Sequence, residues 1–265
     1  MIEWSVSPEI LKLGPFSLRW YGLLFAAAFL ISFKIMTGIY KAENKSEKDL
    51  NDGLWAVILG TVLGARIGHC LFYNPLYYLT NPLEILQIWK GGLASHGAAV
   101  GILTAIYFYT KSRKNISYIW MMDRLVIVVA LSGMMIRIGN LFNSEIIGRP
   151  TNASWGFVFT AIDDVPRHPT QIYEALAYLI VFMVLYRLYK TKITELKKGF
   201  IFGLFLILVF GFRFFVEFLK EDQTYFEAYL PLNMGQILSI PLIILGIWLI
   251  VHKTETYKMQ FEEKL

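Results

Sequence analysis

"LVIVVALSGMMIRIGNLFNSEIIGRP", residues 125–150, opens as an apolar run and ends in charge. About 20 consecutive apolar residues are needed to cross the ~30 Å hydrocarbon layer of a bilayer as a helix. Comparable runs recur near 17–38, 53–73, 93–110, 117–141, 171–189, 200–219 and 234–252. The 265-residue chain is 56% hydrophobic and only 17% charged, against about 25% charged for a soluble domain. These features predict an all-α polytopic membrane protein with about seven transmembrane helices. The alternating segments of about ten residues that mark a membrane β-barrel do not recur.

The joins sort by charge. "KAENKSEK" (41–48), "KSRKN" (111–115), "YRLYKTKITELKK" (186–198) and the tail "HKTETYKMQFEEK" (252–264) hold most of the Lys and Arg. The intervening joins, 74–92, 144–170 and 220–233, hold few. The positive-inside rule then puts the N-terminus outside and the C-terminus in the cytoplasm, as an odd number of spans requires. Trp4, Trp20, Tyr21, Tyr73, Tyr77, Tyr78, Trp89 and Trp155 gather at the outer ends, as interfacial aromatics do. The excess of basic residues, +5 in formal charge, reports orientation and not nucleic-acid binding. "MIEWSVSPEILKLGPFSLRW" carries Glu3, Pro8 and Pro15 and lacks a basic n-region, so it does not read as a signal peptide.

The outer join 144–170 is too long for a turn. Its "SWGFVFTAI" alternates, predicting a short strand or hairpin in a small extracytoplasmic arm between spans four and five. The rest of 1–265 reads as one transmembrane domain. A lone cysteine, Cys70, excludes an internal disulfide and a four-cysteine metal site. The HExxH, GxSxG and P-loop patterns are absent from the sequence.

The residues at the end of the opening stretch are costly there. A charged side chain within a span costs about 2.5–3.5 kcal/mol on insertion scales and marks a site or pathway. Arg66, His69, His96, Arg137, Arg213 and Glu217 lie toward the outer half. Asp123 and Arg124, near "KSRKN", read as snorkelling or paired structural charges. Arg213 and Glu217, at i, i+4, share a helix face and can pair. Three arginines at one depth, with Glu217 and Glu145 as partners, predict a bound anion, since Arg suits phosphate. In the lipid, the simplest such anion is a phospholipid headgroup. Asn140 and Asn143 follow Arg137 by one and two turns and can bond glycerol hydroxyls or phosphoryl oxygens. The small residues of "GGLASHGAAVG" (91–101) let a helix or ligand approach His96. A lipid or organic-anion transporter using the same arginines is the alternative reading.

With those residues placed, the sequence resembles the prolipoprotein diacylglyceryl transferase family. "RIGNLFNSEIIGRP" (137–150) is similar to its signature segment. "SLRWYGL", "GARIGHCLFYNP", "GGLASHGAAVG", "RHPTQIYEAL", "FRFFVEF" and "MGQILSIP" resemble its other motifs in order, from about residue 17 to 245. The resemblance implies a seven-span bacterial inner-membrane enzyme. It implies transfer of the diacylglyceryl group of phosphatidylglycerol to the lipobox cysteine of a preprolipoprotein, giving a thioether and glycerol phosphate. By motif it implies a catalytic set of His96, Arg137, Arg213 and Glu217. Tyr21, Arg66, Asn140, Asn143 and Glu145 are expected at the lipid. His168, Tyr173 and Glu174, from "RHPTQIYE", are expected where the peptide is received. Ala98 and Phe210 depart from residues common in the family. No metal or cofactor is implied, and the reacting thiol belongs to the substrate, not to Cys70.

Overall fold

The computed structural model describes residues 1–14, 16–88, 91–221, 231–252 and 255–257. Trp89, Pro15, and the larger parts of the 220–233 join and of the C-terminal tail lie outside them. Helices dominate: α1 (Trp20–Ala42), α2 (Glu47–Tyr73), the short α3 (Pro75–Thr80), α4 (Ser95–Lys111), α5 (Tyr118–Phe142), α6 (Thr170–Lys192), α7 (Phe200–Val216) and α8 (Met234–Val251). Six of the described helices are long and apolar enough to cross a membrane, α7 being extended by the 3-10 turn Glu217–Leu219. This is a polytopic α-helical membrane protein. The expected third span is α4, whose 17 residues reach only about 25 Å at 1.5 Å per residue, somewhat less than the hydrocarbon thickness.

The chain divides into two compact units, Met1–Ile35 with Met122–Leu265, and Met36–Met121. In the first, the expected strand of the 144–170 join is β4 (Phe157–Phe159). It lies between β1 (Ile2–Trp4), parallel to it, and β5 (Pro166–Arg167), antiparallel. Phe157 and Phe159 turn inward onto Leu141, with Trp4, Ile147 and Ile172 around them, and the Trp4 indole donates to the Leu141 carbonyl at 3.0 Å. The arm is thereby fastened to the last turn of α5. A second antiparallel pair, β2 (Glu9–Leu13) and β3 (Phe16–Arg19), leads into α1.

Asp123 and Arg124 are buried, not snorkelling. The Asp123 carboxylate accepts from the backbone N–H of Gly199 at 2.7 Å and of Phe202 at 2.8 Å, capping α7. The Tyr257 hydroxyl donates to it at 2.7 Å, and the Arg124 guanidinium lies 4.1 Å from the Tyr257 ring centroid. Three donors, the Gly199 and Phe202 N–H groups and the Tyr257 hydroxyl, are satisfied by this one carboxylate, as burial demands.

In the second unit α2 and α4 meet backbone to backbone. A Cβ at Gly101 would stand 2.1 Å from the Gly60 carbonyl oxygen, and one at Gly64 would stand 2.4 Å from that of Gly97. Without a hydrophobic effect inside lipid, such close van der Waals approach between small residues is what holds helices together. The small residues around His96 are thus used by a helix.

Candidate active site

Ends of four helices in the first unit bring one polar cluster together. Arg137, five residues before the end of α5, places Nε 3.3 Å from Glu174 Oε2 in α6. Glu174 Oε1 pairs with Lys220 Nζ at 3.1 Å. That ammonium also donates to Glu217 Oε1 at 2.9 Å, and Arg213 Nε lies 3.3 Å from the same oxygen. The result is a continuous alternation, Arg137–Glu174–Lys220–Glu217–Arg213. Glu217 Oε2 accepts from Asn233 Nδ2 at 3.2 Å, and Asn233 caps α8 reciprocally with Gln236.

Burial runs inward along the chain of charges. The side chains of Glu174, Lys220 and Glu217 are almost fully enclosed, whereas those of Arg137 and Arg213 keep 14% and 27% of their surface. Three cations against two carboxylates leave one positive charge, carried toward the accessible arginine ends. Buried ions survive only when paired and hydrogen-bonded, and the alternation provides that for the interior members. Several hydrogen-bonding positions are left over: among the described residues, Glu174 Oε2, Arg213 Nε, Asn143 Oδ1 and Gln171 Oε1 are buried without a hydrogen-bond partner of good geometry. Such groups are uncommon in folded proteins and call for a ligand or water.

The opening motif frames this cluster. Arg137 Nη1 donates to Asn140 Oδ1 at 3.4 Å. Asn140 Nδ2 and Asn143 Nδ2 each donate to the Glu145 carboxylate at 3.2 Å. Glu145 therefore orients the two amides, and its backbone carbonyl accepts from Gln171 Nε2 at 2.6 Å. The Tyr21 ring rests on Gly139, where a Cβ would stand 2.8 Å from its Cδ2. Gly148 and Lys220 form an antiparallel bridge, and Arg149 Nε donates to the Lys220 carbonyl at 2.9 Å. A Cβ on Gly148 would meet the His168 carbonyl at 2.4 Å, so only glycine fits between the two segments. The end of the motif thus holds the backbone that carries Lys220.

At the base of the arm, His168 Nδ1 lies 3.2 Å from the Tyr173 hydroxyl, which also accepts from the Trp155 indole at 2.9 Å. Arg167 pairs with Glu221 and, at 2.5 Å, with Asp163. The Arg167 guanidinium holds the Asp163 carboxyl below the usual carboxylate range.

Two expected site residues belong to the other unit. Arg66 is buried, and its guanidinium makes four bonds to carbonyls: Glu84 at 2.5 Å, Gly91 at 2.7 Å, Ile85 at 2.9 Å and Gly92 at 3.3 Å. It also lies over the Tyr78 ring. His96 is exposed in the first turn of α4, a turn fixed by the glycine contact described above and by the Ala94 N–H to Ala65 carbonyl bond at 2.9 Å.

Lys220, Tyr178 and Asn233 were not anticipated. Lys220 falls three residues after Glu217, a helical-neighbour spacing that was available in the sequence. Tyr178, one turn after Glu174, stands 3.5 Å from the Glu174 carboxylate.

Fold and site together define a multi-pass membrane protein with a buried, cation-rich site suited to an anionic group. The family model described as prolipoprotein diacylglyceryl transferase matches residues 8–252, and the chain belongs to that family. It is 46% identical over 98% of its length, and 97% of the relative, to a protein of Chloroherpeton thalassium named phosphatidylglycerol–prolipoprotein diacylglyceryl transferase. Relatives of the same name from Tolumonas auensis and Bacteroides fragilis are 45% and 43% identical. They match over 95% and 93% of this chain, and 97% and 93% of their own length.

Proposed function

We propose that this chain transfers the diacylglyceryl group of phosphatidylglycerol to the lipobox cysteine thiol of a preprolipoprotein, the first step of lipoprotein maturation. Family membership supports a transferase and gives the transporter alternative no support. The observation that carries the assignment of residues is the Arg137–Glu174–Lys220–Glu217–Arg213 alternation, with its net positive charge at the accessible ends.

In the proposed reaction the substrate thiol loses its proton, and the sulfur attacks the terminal glycerol carbon of the lipid. The C–O bond to phosphate breaks, the C–S thioether forms, and glycerol phosphate leaves with the bonding electrons. A free thiol has a pKa near about 8.5, so an acceptor for its proton raises the reactive fraction. His96, exposed at the start of α4, is proposed for that role. Arg137 and Arg213 hold the phosphate and take up the charge that grows on it; preorganised donors of this kind contribute about 3–4 kcal/mol each to a transition state. Glu217 and Glu174 set the two guanidiniums. Asn140 and Asn143, oriented by Glu145, bond the glycerol or phosphoryl oxygens, and Tyr21 packs beside them. His168 and Tyr173 receive the peptide at the base of the arm. Arg66 holds the backbone at Glu84, Ile85, Gly91 and Gly92 through its carbonyl bonds. We place the site toward the outer face of a bacterial inner membrane, with the C-terminus cytoplasmic, from the distribution of Lys and Arg.

The test is direct. Purified protein is incubated with phosphatidylglycerol vesicles and a lipobox peptide, and the peptide mass is read. A gain of one diacylglyceryl group is expected; an unchanged peptide with anion movement across the vesicles would favour the transporter.

A further inference from the structure

Lys220 is the only cation of the alternation enclosed on every side, with 3% of its side chain accessible. Its ammonium touches both carboxylates, Glu174 Oε1 at 3.1 Å and Glu217 Oε1 at 2.9 Å. Each carboxylate is therefore shared between a lysine and an arginine. In both arginine–carboxylate pairs the closest approach is through Nε at 3.3 Å, and among the described residues neither Glu174 Oε2 nor Arg213 Nε has a hydrogen-bond partner of good geometry. A lone Arg–carboxylate pair prefers the bidentate fork, which uses two guanidinium nitrogens.

The backbone at Lys220 is correspondingly fixed. Its N–H donates to the Glu217 carbonyl at 3.2 Å, and the Arg149 N–H donates to the Leu219 carbonyl at 2.8 Å. With the Gly148 bridge and the Arg149 side chain, the opening motif clamps both sides of this residue.

We propose that Lys220 is a positioning residue for the two arginines. By holding Glu174 and Glu217 apart from full pairing with Arg137 and Arg213, it leaves guanidinium nitrogens for a phosphate. It also sets the cluster at one net positive charge, the complement of a phosphodiester monoanion. This rests on the reading of the cluster as the phosphate site. Without the ammonium, two carboxylates neutralise two arginines, and the fork geometry turns both guanidiniums away from the ligand.

The experiment compares wild type, Lys220→Met, Lys220→Arg and the double variant Lys220→Met with Glu174→Gln. Thioether formation is measured against the mole fraction of phosphatidylglycerol, and thermal unfolding with and without inorganic phosphate. Lys220→Met is expected to lose about 100-fold in kcat/KM, a typical result of opening a buried ion pair. The double variant restores one net charge and is expected to recover at least about tenfold, a rescue that a role in packing alone would not give. Lys220→Arg keeps the charge and is expected to outperform Lys220→Met; where the latter does not fold, these two variants carry the comparison with wild type. Phosphate should raise the unfolding temperature of wild type and not of Lys220→Met.

Activity of Lys220→Met within about threefold of wild type would overturn the proposal. So would a double variant and a Lys220→Arg variant that are folded and as slow as Lys220→Met. A wild type that forms no thioether would count against the transferase reading. Phosphate stabilisation still decides the role of Lys220 in that case, an equal shift in both proteins refuting it.

Discussion

Replacing Gly235 by alanine is a single-methyl perturbation of the charge cluster. A Cβ there would stand 2.5 Å from both Cδ and Oε1 of Glu217. Ordinary contact begins near 3.4 Å, so the Glu217 carboxylate must retreat by about 0.9 Å, the difference between these distances. Oε1 is the atom shared by Lys220 at 2.9 Å and Arg213 at 3.3 Å, and both contacts depend on its position. A hydrogen bond to a charged group contributes about 1.5–3 kcal/mol. Loss of one such contact predicts a rate loss of about 10- to 100-fold if it is expressed in the transition state. Gly211→Ala is the control, since nothing lies within 4 Å of its added methyl and alanine favours the helix by about 1 kcal/mol. Rates come from thioether formation in detergent-purified protein, and folding from thermal unfolding of the same samples. Gly235→Ala at the rate of Gly211→Ala, with both folded, would refute the claim that Glu217 geometry controls the arginines.

Four further outcomes follow from other parts of the molecule. Tyr257→Phe removes the hydroxyl that donates to buried Asp123 and should cost about 1–3 kcal/mol of stability, read as a lower unfolding temperature with an unchanged KM for lipid. Gly101→Val puts side-chain atoms into the Gly60 carbonyl, so the folded fraction on size exclusion should fall sharply. Cys70→Ala should leave turnover unchanged, because in the proposed reaction the reacting thiol is the substrate's; a dead variant would contradict this. The Asp163–Arg167 pair titrates at its acidic end: Asp163 is depressed below the usual carboxylate range, so its contribution is present above the unfolded-state value and is lost as pH falls through the folded one. Hydrogen exchange at 157–167 should quicken below that point, and Asp163→Asn should abolish the pH dependence; the effect is small because the Asp163 side chain keeps 30% of its surface in solvent.

The helices were legible because apolar runs of membrane length leave little alternative, and α5 begins and ends within about a residue of the reading. Arg213 with Glu217, and Arg137 with its amides, were legible because helical spacing alone brings them together. β1 was not: Ile2 pairs with Phe157, and no local pattern announces a partner that far along the chain. Arg66 looked like an anion ligand because a sequence displays side chains, whereas the groups it bonds are the backbone carbonyls of Glu84, Ile85, Gly91 and Gly92. Lys220 was read as part of an outer join, since charge beyond the end of an apolar run ordinarily faces water. It is buried because Gly148 and Arg149, from the far side of the arm, fold its backbone inward. Arg149, at the end of the opening motif, is therefore structural to the site.

The central claim is that Arg137 and Arg213 hold the phosphate that leaves. Its most direct measurement is glycerol phosphate release from phosphatidylglycerol, with lipobox peptide present, by wild type and by Arg137→Ala at equal folded concentration. Loss of one preorganised donor predicts a rate lower by about 100-fold or more. Equal rates in the two proteins would contradict the account.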